Sequence, residues 1–376
     1  MSLLGHIRIP ALVDMHVHFR EPGFAYKETI LSGSRAAACA GYSDVFAMPN
    51  VVPAPDSVAH LSVQTALIAR DSLIGVHPYA SITLCRQGEG ELVNIEELSR
   101  YVPGFSDDGC GIQDEGLMRA AMERIAAVDS MIVEHCEVNS LVRGGYIHEG
   151  AYSRAHGHRG ICSESEWREV ERNIRLSEET GCRLHICHIS TKESVELIRD
   201  AKASGVPVTT ETAPHYLLLN ERMLQEEGCW KMNPPVRSVE DQMALLAGVQ
   251  DGTIDVIATD HAPHSAEEKG RGLAGSAFGI VGIETAFPLL YTYLVKPGML
   301  SMERLVELMS TRAREITGLP MGDSWATFDL DARYTIDPER FVSKGHSTPF
   351  AGWEVYGRCV KNEYRGKVVF DLGFKI

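Results

Sequence analysis

The chain has 376 residues, 44% hydrophobic and 23% charged, a size and balance that suit one α/β barrel enzyme. Its formal net charge of −15 argues against a nucleic-acid footprint and means that an anionic substrate must find local positive charge, from metals or arginine. There is no apolar run of membrane-spanning length and no signal-peptide layout, and nine scattered cysteines without a CxxC pair do not form a disulfide framework, so the expected location is the cytoplasm.

In chain order, β-rich runs recur at 11–19, 43–48, 74–82, 104–106, 131–135, 183–189, 206–210 and 254–259. Segments of helical periodicity follow them at 27–40, 57–70, 93–101, 115–128, 164–180, 191–204, 238–249 and 284–295. Eight strand–helix units predict a (β/α)8 TIM-like barrel over residues 11–320. The fourth run, Gly104-Phe105-Ser106, is the shortest. The stretch 265–283, rich in glycine and charge, is expected to be a mobile loop over the barrel mouth. Beyond residue 320 the alternation gives way to short strand-like runs, which predict a small, reduced β appendage built from residues 1–10 and 321–376.

The positions just past each strand are chemically unlike the strands. They read His16/His18/Arg20, Asn50, Thr83, Asp107/Asp108, His135/Glu137, His188, Glu211/His215 and Asp260/His261/His264. Strand C-termini of a barrel open onto one face, so these side chains should converge there. His16 and His18, two residues apart on a strand, share a face and can share a metal, although such a pair alone is weak evidence. His135 and His188 end the fifth and sixth strands; either alone reads as a hydrogen-bonded core histidine. Asp260 could ligate a metal and accept a proton, or simply cap a turn, and Asp107-Asp108-Gly109 could be plain turn chemistry. Strict alternation would send Cys136, Cys187 and His185 to the opposite face, toward the helices. Four histidines and two aspartates exceed one tetrahedral zinc and suit two divalent ions, roughly 3.5–4 Å apart, sharing a carboxylate. His6, His60, His77, His148, His156, His158 and His346 have no ligand-like context, and His215 stays unassigned.

Several stretches are similar to one family. Asp14–Gly23 (DMHVHFREPG), Met48-Pro49-Asn50, Phe105–Gly109 (FSDDG), His188–Ser194 (HISTKES), Lys231–Arg237 (KMNPPVR), Ala258–His264 (ATDHAPH), Phe278–Gly282 (FGIVG) and the KGHSTPFAG run at 344–352 resemble class I bacterial dihydroorotases of the amidohydrolase superfamily. The resemblance implies a zinc-dependent enzyme that interconverts N-carbamoyl-L-aspartate and (S)-dihydroorotate in pyrimidine biosynthesis. It implies one zinc on His16, His18 and Asp260, a second on His135 and His188, and Asp108 as the bridge between them. Arg20, Asn50 and Asn233 would hold the substrate's carboxylate and carbonyl groups, with His264 nearby, and Phe278 and Gly279 would contact the ring through the backbone. Asp260 would also be the catalytic proton carrier. A homodimer and an association with aspartate transcarbamoylase are expected partners of the same kind.

Only Met1–Pro10 precede the HxH strand, where family members usually carry about forty residues forming half of a small β-sandwich (compare typical element sizes). The expectation is therefore a reduced appendage or reliance on a partner. Two other readings stand beside the main one: a hydantoinase- or allantoinase-type hydrolase, and a non-catalytic barrel that scaffolds aspartate transcarbamoylase. Arg20 favours an anionic substrate over an uncharged hydantoin.

Overall fold

A computed structural model describes residues 5–373. Residues 1–4 and 374–376 of the expected appendage lie outside the described residues. Eight parallel segments alternate with helices. Seven are strands: β2 (Leu12–Val17), β3 (Tyr42–Ala47), β4 (Gly75–Pro78), β5 (Met131–Glu134), β6 (Arg183–Ile186), β7 (Val208–Thr212) and β8 (Val256–Ile257). β1 (His6–Pro10) precedes them. The eighth segment is the short run at Phe105, whose residue bridges Ala80 on one side and Ile132 on the other. Its ladder is real despite its length: Phe105 N donates to Met131 O at 3.0 Å and Ser106 N to Ala80 O at 2.9 Å.

Parallel pairing runs β2–β3–β4, through Phe105 to β5, and on through β6, β7 and β8. A bridge between His261 and Val17 then leads from the last segment to the first, with His18 N donating to His261 O at 2.9 Å. Strands with neighbours on both sides and helices outside must be apolar on both faces, and β2 and β3 are buried at every residue.

The helices form where the spacing predicts them. α1 (Ile30–Cys39) starts at Thr29, whose side chain and that of Ser32 close a capping box. α2 (Val58–Asp71) and α3 (Ile95–Leu98) follow, the latter a single turn. α4 (Glu115–Ala127), α5 (Glu164–Thr180), α6 (Lys192–Ala203) and α7 (Val239–Asp251) agree with the expected ranges to within a few residues. The last expected helix begins as α8 (Ala286–Leu290) and continues as a π-turn, Tyr291–Val295.

The tail adds β9 (Trp325–Thr335), β10 (Glu354–Tyr364) and β11 (Lys367–Asp371). With β1 they make an antiparallel sheet in the order β1-β9-β10-β11. Asn362 ties this sheet to the parallel one, its Nδ2 donating to Ala38 O at 2.9 Å and Tyr42 O at 2.8 Å. Phe328 stacks on Phe287 with ring centroids 3.8 Å apart, so the junction is also apolar.

α5 positions one buried acid that organises the chain just beyond β6. Glu166 accepts from Ser190 N at 2.9 Å, Thr191 N at 3.0 Å, Thr191 Oγ1 at 2.9 Å and Ser194 Oγ at 2.8 Å, and from Ser190 Oγ. Buried Arg237 stands 3.7 Å away. The HISTKES run is thus a set of donors wrapped on one carboxylate. Glu166→Ala should cost about 3–5 kcal/mol by orphaning those donors and leaving the Arg237 charge unpaired. Urea unfolding checks this, with Glu166→Gln expected to lose less.

Candidate active site

All the expected site residues except His16 line a single cavity of about 250 Å³: His18, Arg20, Asn50, Asp108, His135, His188, Asn233, Asp260, His264, Phe278 and Gly279. His16 lies directly beneath, with no exposed surface. Its Nε2 stands 3.6 Å from both Asp108 Oδ1 and Asp260 Oδ1. His18 Nε2 is 2.9 Å from Asp260 Oδ1 and 3.8 Å from Asp108 Oδ2, while its Nδ1 meets Asn50 Oδ1 at 2.9 Å. On the other side of Asp108, His135 Nδ1 is 3.8 Å from Oδ1 and 3.1 Å from His188 Nε2. Ligand-type atoms of His16, His18 and Asp260, and those of His16, Asp108 and His188, lie within 4.8 Å of one another.

Two of these residues reach the site through a backbone that L-residues seldom adopt. His188 has φ +28° and Asp260 φ +48°, both at the ends of parallel strands. That twist explains a departure from strict alternation. His185 does not point toward the helices: it is fully buried and its Nε2 lies 3.2 Å from Glu211 Oε2. Cys187 packs with strand residues Val13, Met15, Phe46, Met48, Tyr79 and Val133, again opposite to expectation. The positive φ at residue 188 turns the histidine back toward the face that positions 185 and 187 already occupy. Cys136 does face the helices, receiving Asn173 Nδ2 of α5 at 3.6 Å.

The electrostatics of the cluster are lopsided toward acid. Burial disfavours a charged His16, but Glu211, Asp108 and Asp260 around it push it up to about 10. Burial would raise the Glu211 carboxyl, yet hydrogen bonds from His16 and His185 pull it down to about 2. Asp108 and Asp260, also opposed by burial, are held below the ordinary carboxylate range chiefly by the neighbouring histidines. His188 is driven well below its usual value by burial and by repulsion from His16 and His135, which disfavours its charged form. Three buried carboxylates around His16 create a strong demand for positive charge.

The sequence predicts no role for Glu211, which stands at a strand end. It takes His16 Nδ1 at 2.9 Å, fixing that ring so that Nε2 points at the two aspartates. Its signal was its place three residues into a parallel strand, where an acid needs a partner. Glu137, another strand-end residue without a predicted role, accepts from Asn233 Nδ2 through its Oε2 at 3.0 Å. Asp14 ties the first strand to the last, accepting from Thr259 N at 3.1 Å and Thr259 Oγ1 at 2.6 Å. His215 is buried, and its Nε2 has no hydrogen-bond partner among the described residues.

The segment 265–283, where a mobile loop over the barrel mouth is expected, is partly helical. It carries two helical turns, Ala266–Lys269 and Gly272–Gly275. Lys269 folds inward and donates to Lys231 O at 3.0 Å, Ala277 O at 2.8 Å and Gly279 O at 2.7 Å. Gly279 itself has φ +120°, and a Cβ there would stand 2.8 Å from Ala262 Cβ, so only glycine brings this backbone to the cavity wall.

The chain matches the family described as dihydro-orotase-like over residues 5–194. It is similar to the dihydroorotase of Shouchella clausii (strain KSM-K16), 47% identical over 375 residues, or 97% of this chain and 88% of that protein. The dihydroorotase of Bacillus caldolyticus is 46% identical over 378 residues, covering 98% and 88% respectively. Among solved structures, L-hydantoinase (dihydropyrimidinase) from Arthrobacter aurescens superposes with a TM-score of 0.88 at 25% identity, covering 100% of this chain and 88% of that one. D-hydantoinase (dihydropyrimidinase) from Thermus sp. gives 0.84 at 24% identity, with 99% and 86% covered.

Lys269 holds three carbonyls that frame the Phe278–Gly279 wall. Lys269→Met should therefore destabilise the protein by about 2–4 kcal/mol. Limited proteolysis should show cleavage within 265–283 appearing earlier in the variant than in the parent.

Proposed function

The chain belongs to the dihydro-orotase-like family, and from that membership we propose that its cavity carries the dihydroorotase reaction. N-carbamoyl-L-aspartate closes to (S)-dihydroorotate with loss of water, and hydrolysis reopens the ring, a step of pyrimidine biosynthesis. One observation carries the substrate reading. Arg20 is a buried guanidinium that forms no ion pair among the described residues, and it lines the same cavity as the histidine–aspartate cluster. In a protein of net charge −15, an unpaired buried arginine at a cavity is suited to a carboxylate ligand.

The architecture in this reading is a (β/α)8 barrel of the amidohydrolase type spanning 11–320, with 1–10 and 321–376 forming the appendage. The parallel pairing that returns from His261 to Val17 supports it. A site at the C-terminal ends of the strands is where such barrels place their chemistry.

His16, His18 and Asp260 would hold one zinc, and His135 and His188 a second, with Asp108 shared. The residues fit that role: carboxylates are in surplus, and buried His16 Nε2 and His188 Nδ1 lack a hydrogen-bond partner among the described residues. When bound, such ions polarise the ring amide carbonyl and make water acidic enough to ionise near neutral pH.

The side chains supply the rest. Asp260, kept in its basic form by the adjacent histidines, takes a proton from the attacking water and delivers it to the ring nitrogen as the C–N bond breaks. In ring closure, as the carbamoyl nitrogen bonds to the side-chain carboxyl carbon, it takes the N–H proton and passes it to the oxygen whose C–O bond breaks. Arg20, Asn50 and His264 hold the substrate carboxylate, Asn233 holds a carbonyl group, and the backbone at Phe278 and Gly279 flanks the ring.

The likeness to L-hydantoinase makes ring opening of an uncharged cyclic amide the competing reading. The purified chain is expected to turn over dihydroorotate and N-carbamoyl-aspartate with about two zinc ions per chain by elemental analysis. Asp260→Ala should lower kcat at least about 10³-fold in both directions. Arg20→Met should raise KM for dihydroorotate by about 100-fold, about 3 kcal/mol, while inhibition by a neutral dihydropyrimidine stays unchanged. Equal losses on charged and neutral ligands would place the specificity elsewhere.

A further inference from the structure

His264 sits between two cations. Arg20 Nη2 is 3.3 Å from its Nε2, and Lys27 Nζ is 3.3 Å from its Nδ1. A neutral imidazole has one N–H and one acceptor nitrogen, so it can accept from only one of them. Burial and the positive charges of Arg20, Lys27 and Lys269 keep this ring neutral. One of the two contacts is therefore donor against donor.

The surroundings favour Lys27 as the donor that is satisfied. Its ammonium is mostly buried and anchored by Glu268 Oε1 at 2.9 Å, with the rings of Phe24 and Tyr26 beneath it at 5.5 and 5.6 Å. Glu268 also faces His264 Nδ1, at 3.5 Å. Its Oε2 is already engaged by Ser265 N at 3.0 Å and Ser265 Oγ at 3.2 Å, and its Oε1 also receives Tyr26 Oη at 3.2 Å. Arg20, by contrast, spends its Nε on Pro263 O at 3.2 Å, and both it and His264 line the cavity.

Building on the carboxylate-substrate reading above, we propose that Lys27 is a positioning residue: by donating to Nδ1 it locks His264 as the Nε2–H tautomer, so that Nε2–H and Arg20 Nη2–H form a two-pronged donor for one substrate carboxylate oxygen. The two prongs, 3.3 Å apart, repel each other until an acceptor lies between them. An anionic oxygen relieves that repulsion best, which gives the pair its preference for a charged ring over a neutral one. Gly279 helps hold the arrangement, because a Cβ at that position would stand 3.3 Å from Nε2.

Long-range 1H–15N spectra of the zinc-loaded protein read the tautomer directly, with His264 assigned through His264→Asn. The wild type should show Nε2–H, and Lys27→Met should shift the ring toward Nδ1–H facing Glu268. Glu268→Gln should keep Nε2–H, and Lys27→Arg should restore it. In parallel, Lys27→Met should raise KM for dihydroorotate about tenfold with kcat nearly unchanged, and leave inhibition by a neutral dihydropyrimidine as it was. Nδ1–H in the wild type, an unmoved tautomer in Lys27→Met, or a tautomer that follows Glu268 would each overturn the proposal. A wild type that does not turn over dihydroorotate would instead overturn the substrate reading, and the spectra would still report on Lys27.

Discussion

The burial of three carboxylates around one imidazole is the constraint on which the rest of this structure turns. Asp108, Asp260 and Glu211 surround His16 at 2.9–3.6 Å with almost no access to water. Buried charge of one sign is tolerated only where cations neutralise it. Within the protein, His16 and His185 answer Glu211 from below, but Asp108 and Asp260 look into the cavity. The surplus faces the place where the proposed ions and substrate would sit, and the fold must keep it there.

It does so with a layer of buried polar contacts behind the cavity. Asp14 clamps Thr259 next to Asp260, and Glu166 gathers the donors that follow His188. Glu28 stands 3.4 Å from His261 and accepts from Ser343 Oγ at 2.5 Å, which brings the late segment at 343–347 against the first and last strands. Each contact joins residues far apart in sequence. Together they hold His188 and Asp260 in positive-φ conformations that neither would keep alone. Rigid strand ends supported in this way are what a preorganised site needs.

Beside the acidic floor, Arg20 and His264 bring a basic cluster to the cavity wall. Burial, reinforced by the charges of nearby Arg20, Lys27 and Lys269, presses the His264 ring down to about 3. Such an arrangement suits the proposed division of tasks, with cations held on one side and a substrate carboxylate on the other. The division is sharper than net charge alone suggests, because both poles are buried and poorly screened.

Much of this was legible in the linear chain. Alternating β and α periodicity located all eight parallel segments to within a few residues, and many of the polar residues just past them meet in the cavity. Periodicity reports on burial, and strand ends are where burial gives way to chemistry. The short segment at Phe105 was the least visible, since its ladder is supplied by Ala80 and Ile132 rather than by its own length. What the chain could not express was direction. The orientation of His185 and Cys187 hangs on one dihedral at His188, the order of 265–283 on Lys269 finding three distant carbonyls, and the partner of His16 on Glu211, 195 residues away. Local pattern determined which residues stand at the strand ends. Only the tertiary structure decided how they face one another, because those contacts join atoms that no spacing rule connects.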